Sequence, residues 1–531
     1  MDHHFDVIII GTGAGGATLA QRLAPSGLEI LMLERGDYVP REKANWSSLE
    51  VNLKGRYQAQ EEWRTNAGEA LHPHTNYNVG GNTKFFGAAL FRLREADFGR
   101  INHYDGVSPA WPICYNDLEA YYTEAEQLFE VRGERGVDPL DPPGPAYPFP
   151  PISHEERLER LSADFAAAGL HPFHTPLGVR LDEQHRRTSR CIRCSTCDGY
   201  PCLLHAKSDA EMMCVEPTLQ RYSNVTLLTG AKVTKLRTGS AGKQVTGVLF
   251  EHNGETLENS ADIVVVSCGA INSAALLLRS AGSDHPNGLA NRSGVVGRHY
   301  MGHTNSVVMA LSLCPNPTVF QKTLSVNDFY SASSAWDFPM GHISFVGKLD
   351  KDTLRAGAPA IAPGWSLEEM ARHSLDFWLT SEDLPDPENR VTINTSDEIV
   401  LSYTPNNLEA HKRLKHQLSI VMKKTSCDIH GSGCHQGLFD RNLFIGQQIP
   451  LAGVAHQNGT VRFGTDPLNS VLDINCKAHD VDNLYVVDGS FFPSSGAVNP
   501  ALTIVANSMR VGDHLLERMR AASAQPRAMK A

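Results

Sequence analysis

At 531 residues the chain is too long for one core, so two or more domains are expected, and its 41% hydrophobic and 20% charged content is that of a soluble globular protein. A net charge of -11 and no visible basic stripe argue against a phosphate-backbone partner, so no nucleic acid is expected. Met1 to Phe5 runs directly into an apolar strand without a signal-peptide pattern, and no stretch reaches the ~18 apolar residues of a spanning helix. The expectation is a cytoplasmic protein with no membrane anchor.

Phe5 to Ile10 is a continuous apolar, β-branched run, as befits a strand buried on both faces. Gly11-Thr12-Gly13-Ala14-Gly15-Gly16 follows, then a helical pattern over Ala17 to Leu23 and a second apolar strand, Leu28 to Leu33, ending in Glu34. In such a βαβ unit Gly11 makes the tight turn, Gly13 lets a pyrophosphate approach the backbone, and Gly16 lets helix and strand pack closely. Glu34 is placed to accept from ribose hydroxyls. The segment therefore binds a dinucleotide, with NAD and FAD both open at this point.

Further along, Asn78-Val79-Gly80-Gly81-Asn82-Thr83-Lys84 contains a second glycine pair, and Asp138 to Pro151 is a Pro-rich excursion or linker. Cys191, Cys194, Cys197 and Cys202 have a spacing that suggests iron–sulfur or zinc ligation. The proline, however, precedes the last cysteine, which is not a ferredoxin run. We assign no metal here and read a structural or disulfide-forming loop. Thr226 to Lys235 reads as a strand, and Ile263 to Ser267 as another that ends in small residues, Cys268-Gly269-Ala270. The aromatic, turn-rich segment Val326 to Ile343 is either a substrate lid or buried core. Ala521 to Ala531 reads as a disordered tail.

The most informative stretch is the last. It contains Ala455-His456-Gln457-Asn458-Gly459, Tyr485-Val486-Val487-Asp488-Gly489, and Val498-Asn499-Pro500-Ala501-Leu502-Thr503. Pro500 suits a first helical position, which puts Asn499 at the N-cap of a helix with an apolar stripe. In order and spacing these motifs resemble the closing motifs of the glucose-methanol-choline (GMC) flavoenzymes. Asn78 to Gly87 and Ile263 to Ser273 resemble that family's earlier signatures, and the narrower likeness is to bacterial pyranose oxidases and glycoside 3-oxidases.

The resemblance implies an α/β fold: a discontinuous Rossmann-like FAD-binding domain (1–100, 205–310, 456–531) plus an α+β substrate domain with an antiparallel sheet (101–204, 311–455). It implies FAD, contacted by Gly11, Gly13, Gly16, Glu34, Arg35, Gly80, Gly81, Asn82, Val233, Gly269, Asp488, Gly489, Asn499 and Thr503. Phe85 stands near where related fungal enzymes carry a flavin-linked histidine, so noncovalent FAD is expected. His456 is the expected base, since imidazole titrates near neutral pH, and Asn499 its partner in orienting the substrate oxygen. The implied substrate is a sugar or glycoside hydroxyl, with O2 or a quinone-like acceptor reoxidising the flavin. The rivals are a sterol or other alcohol oxidase, a dehydrogenase with a cysteine-bound cluster, and a non-catalytic flavin-binding protein.

Overall fold

The structure, a computed structural model, describes residues 3–312, 315–357, 364–425 and 443–524. The N-terminal strand His4–Ile10 lies inside a parallel sheet, with Val7 paired to Ile30 on one side and to Ile263 on the other. Val225–Leu228 extends the sheet beyond Ile30–Leu33, and Leu484–Val486 pairs with Val264 to Val266. Val7 to Ile10 are buried, which is why this strand has no polar alternation. The helix Ala14–Leu23 packs under the closing helix Ala501–Ala524.

The single strand expected over Thr226 to Lys235 is in fact two. Gly230 turns at φ +62 and donates its N–H to Gly36 O at 3.0 Å, so the chain leaves the parallel sheet. It re-enters as Lys232–Thr238, an outer strand of an antiparallel ribbon with Val245–His252 and the first half of Glu255–Val266.

A second, six-stranded antiparallel sheet carries the other half of the molecule. Its order is Leu443–Gln448, Thr304–Leu311, Ser374–Ser381, His342–Phe345, Leu324–Val326 and Phe173–His174. Its core holds Val308, Leu375 and Phe377 against Leu158 and Phe165 of one helix and Leu414 and Leu418 of another.

Three sets of contacts cross the expected domain limits. The strand Thr304–Leu311 belongs to this sheet, so residues 304–310 leave the nucleotide-binding part. The helix Asn116–Leu128 shares the nucleotide-domain core and packs on the closing helix, because Leu118, Tyr122 and Ala125 form its apolar face. A four-stranded sheet joins Trp63–Thr65 and Ala70–Leu71 to Arg390–Ile393 and Ile399–Ser402, mixing the two expected domains.

Of the two readings of Val326 to Ile343, buried core prevails at both ends, where Val326, Phe329, Tyr330, Met340 and Ile343 are buried. The Pro-rich segment is an ordered excursion, since its buried Asp138 accepts from Arg94 and Asn327, both at 2.6 Å. Helix continues through Ala524, inside the expected tail, and 525–531 lie outside the described residues.

Buried histidines set an acid limit on this fold. Burial lowers His154, His342, His411 and His456 to about 3, and His299 and His303 to about 4. Below pH 6.5 the unfolded chain takes up protons that these native side chains refuse, so stability falls as pH drops toward 4. Six carboxyls raised by burial (Glu34, Asp97, Glu211, Asp376, Asp383 and Asp488) act in the opposite sense, but with His74, His205 and His514 also lowered, nine histidines outnumber them. Thermal unfolding followed at several pH values should show a falling Tm from pH 6.5 to 4.5.

Candidate active site

Four of the five parallel strands end at one cavity of about 600 Å³. Ile10 to Gly15, Leu33 to Arg35, Ser267 to Ala270 and Asp488-Gly489 line it, each segment at the carboxyl end of its strand, where open α/β sheets bind ligands. Gly11 has φ +99, and a Cβ there would stand 2.2 Å from Ser267 O. A Cβ on Gly16 would stand 2.1 Å from Gly11 O. Gly13, by contrast, meets nothing within 4 Å and lines the cavity, so its backbone is open to a ligand.

Buried Glu34 accepts from Thr12 N–H at 3.0 Å, Thr12 Oγ1 at 2.6 Å and Gly36 N–H at 3.2 Å. Burial pushes its carboxyl up and these donors pull it back. Beside it, Arg35 pairs with Glu61 at 2.9 Å and lies over the Tyr77 ring at 3.8 Å. Val233 lines the same end.

Gly81 and Asn82 line the cavity, whereas Gly80 lies behind it, against Glu211 and Lys84. The Asn82 amide braces the preceding loop, accepting from Asn76 N–H at 2.9 Å and donating to His74 O at 3.2 Å. Asp488 accepts from Ser273, Ser490 and Gly269 N–H, which ties the ends of two strands together. Thr503 departs from the expected set: its hydroxyl pairs with Tyr122 Oη at 2.8 Å, away from the cavity. Only its backbone N–H, in a first helical turn without intrahelical acceptors, is left for a cofactor.

His456 and Asn499 do meet, with Asn499 Nδ2 3.3 Å from His456 Nε2. The closing helix begins at Ala501, and Pro500 O accepts from Ile504 N–H at 3.1 Å. Pro500 is therefore the cap, one residue later than expected, and the Asn499 side chain turns to His456 instead of capping.

Two histidines that the sequence reading missed flank the pair. His303 Nδ1 lies 3.0 Å from His456 Nδ1, and His74 lines the cavity close enough to help hold His456 neutral. The signal for His303 was available only as pairing. Met301 and Asn458 exchange backbone hydrogen bonds at 3.0 and 2.9 Å, and the same antiparallel register two residues on sets 303 opposite 456.

Cys191, Cys194, Cys197 and Cys202 line one small pocket, and all four are free thiols, so the disulfide expected as one option is not formed. Burial raises Cys191 to about 12 and also raises Cys197, which lies 3.6 Å from Lys322 Nζ. Among the described residues, the metal-ligating atoms grouped within 4.8 Å belong to His205, Glu211 and Glu216. There Glu211 already faces the Lys84 ammonium at 2.7 Å.

A Rossmann-like cradle therefore opens on a neutral His–Asn pair, the layout of a dinucleotide-binding site. Profiles described as GMC oxidoreductase match residues 161–305 and 385–508. The chain is 31% identical to 6'''-hydroxyparomomycin C oxidase of Streptomyces lividus, over 98% of this chain and 93% of that protein. It is also 31% identical to paromamine 6'-oxidase of Streptomyces fradiae, over 96% and 91%. Pyridoxine 4-oxidase from Mesorbium loti shares the fold, with TM-score 0.66 and 18% identity over 97% of this chain and 99% of that one. The chain belongs to the GMC oxidoreductase family, whose flavoproteins bind FAD.

The residues present fit that cofactor. Ser267 Oγ and Thr75 Oγ1 are buried in the lining without a hydrogen-bond partner, and a Cβ on Gly13 would enter the space a pyrophosphate needs. No described helix is long and apolar enough to cross a membrane.

Proposed function

We propose that this enzyme oxidises a ring hydroxyl of a neutral pyranose or glycoside, at the 3-position, to a ketone. The observation that carries the substrate class is the charge state of the cavity wall. Among the described residues its carboxylates are Glu34, Asp198 and Asp488, and each is already engaged: Glu34 by Thr12, Asp488 by two serines, Asp198 by Lys322. An ammonium substrate would find no uncommitted anion, and an unpaired buried charge is costly. Neutral hydroxyls instead meet Asn305, Ser344 and Gln457, with Trp378 as a face for a sugar ring. The relatives whose names specify aminoglycosides would then differ from this enzyme in their pocket charge.

His456 is the base in this reading. Its Nε2 takes the hydroxyl proton, and the Asn499 amide beside it directs the substrate oxygen. When bound, FAD supplies the acceptor for the hydride that leaves the same carbon, and O2 or a quinone-like acceptor reoxidises it. Gly11, Gly13 and the amides at the start of Ala14–Leu23 would hold the pyrophosphate, Glu34 the ribose, and Gly81, Gly269, Asp488 and Gly489 the flavin end.

Phe85 lines the cavity, and its phenyl ring has no nucleophile for a flavin bond. Acid-precipitated protein should therefore be colourless and leave its FAD in the supernatant; yellow precipitate would contradict noncovalent attachment.

The choice of the 3-position rests on the likeness of Gly80 to Lys84, Cys191 to Ala210 and Val498 to Pro500 to glycoside 3-oxidases. Carbon NMR of the product from a neutral glycoside tests it directly. A 3-ketone supports the proposal, and oxidation at C6 instead would replace it.

A further inference from the structure

We propose that His303 is a positioning residue that fixes His456 in the tautomer with its proton on Nδ1, so that the Nε2 lone pair faces the substrate. This rests on His456 being the base. His303 Nε2 lies 3.3 Å from Ser495 O. A carbonyl only accepts, so this nitrogen carries the proton and His303 Nδ1 is left with a lone pair. His456 Nδ1, 3.0 Å away, must then donate to it. That consumes the proton of a neutral imidazole and leaves Nε2 unprotonated, facing the amide of Asn499. The two rings stand nearly perpendicular, at 84°, with centroids 5.1 Å apart. Each ring can thus meet the other in its own plane.

Three further observations show that the fold is built around this contact. His303 is 2% exposed and does not line the cavity, so it acts on the reaction only through His456. It sits at φ +56, a left-handed conformation uncommon outside glycine. What holds it there is the acidic pair that follows the strand Ser374–Ser381. Asp383 accepts from Gly302 N–H at 2.7 Å, while Glu382 accepts from Gly496 N–H at 3.2 Å. Ser495 Oγ donates to Asp383 O at 3.2 Å. One brace therefore fixes both the corner carrying His303 and the segment leading to Asn499. The charged and titratable groups facing His303 are Glu382, His342 and His456, and the ring stays neutral among them.

The test compares His303→Ala with His303→Asn in the FAD-loaded enzyme. Asparagine tolerates φ +56 better than most residues and returns an acceptor oxygen near the Nδ1 position. Two readouts are used: imidazole 15N shifts of His456, assigned by the signal missing in His456→Ala, and the rate of anaerobic flavin bleaching by D-glucose. The wild type and His303→Asn should show the Nδ1–H tautomer and similar rates. His303→Ala should lose that tautomer and reduce flavin about ten- to a hundredfold more slowly, with unchanged sugar Kd and flavin content. Retention of the Nδ1–H tautomer in His303→Ala would overturn the proposal, as would an Asn variant as slow as the Ala one. If His456→Ala itself bleaches at the wild-type rate, the base assignment fails, and the 15N shifts still decide what His303 does.

Discussion

His456→Ala should purify with its full complement of FAD and bleach with sugar about a hundredfold or more slowly than the wild type, a barrier increase of about 2.7 kcal/mol or more. The binding half of this expectation follows from placement. His456 stands in the loop after Val454, whereas the cradle is built from the ends of parallel strands that the substitution does not touch. The kinetic half follows from protonation. Burial lowers His456 to about 3, with His303 and His74 adding to the effect, so it does not titrate near neutral pH as expected of a free imidazole; it stays neutral there, with its lone pair available. His303 is not positioned to inherit the role, because it lies behind His456 and outside the cavity. His74 is the one flanking imidazole that does line it. A mild effect in His456→Ala, with a large one in His74→Ala, would move the base to His74. Stopped-flow reduction at saturating sugar makes the comparison.

Gly13→Ala should fold normally and lose most of its FAD. A Cβ at this position meets no protein atom within 4 Å, and Gly13 has an ordinary negative φ of -69°, so the apoprotein has no reason to strain. The methyl group instead occupies the side of the helix N-terminus that a pyrophosphate must approach. Gly11→Ala is the contrasting case. Its Cβ would stand 2.2 Å from Ser267 O at φ +99, so it should lower Tm and yield before any cofactor is added. Flavin absorbance per protein, set beside apoprotein Tm, separates the two mechanisms. Equal loss of Tm in both variants would remove the ligand-contact role from Gly13.

How far the sequence reaches into this architecture depends on the range of the interactions. The βαβ unit was legible because its strands are apolar on both faces and its glycines sit at fixed offsets. Glu34 follows from the same logic, since it directly ends a buried strand, whereas Gly269 and Asp488 were placed by the family resemblance. His456 and Asn499 were identified by family motif, and the structure brings them within 3.3 Å of each other. His303 was not legible. It carries no local pattern, and its contact with His456, 153 residues away, arises from the backbone pairing of Met301 with Asn458. The partners of one strand were illegible for a related reason. Thr304–Leu311 closes on an apolar run, Val307 to Leu311, like the strands of the nucleotide domain, and only its partners place it in the other sheet. Thr503 was expected at the cofactor because of its motif position, but a helix turns each residue by a fixed angle, and this one faces Tyr122.

The central claim, a flavoenzyme that oxidises a neutral sugar hydroxyl, is tested most directly by anaerobic bleaching of the bound flavin. The panel should contain neutral pyranoses and glycosides, an aminoglycoside such as paromamine, and a sterol. The neutral sugars should bleach the flavin and the aminoglycoside and sterol should not, with colour returning when air or a quinone is admitted. Bleaching by the aminoglycoside or the sterol alone would contradict the account.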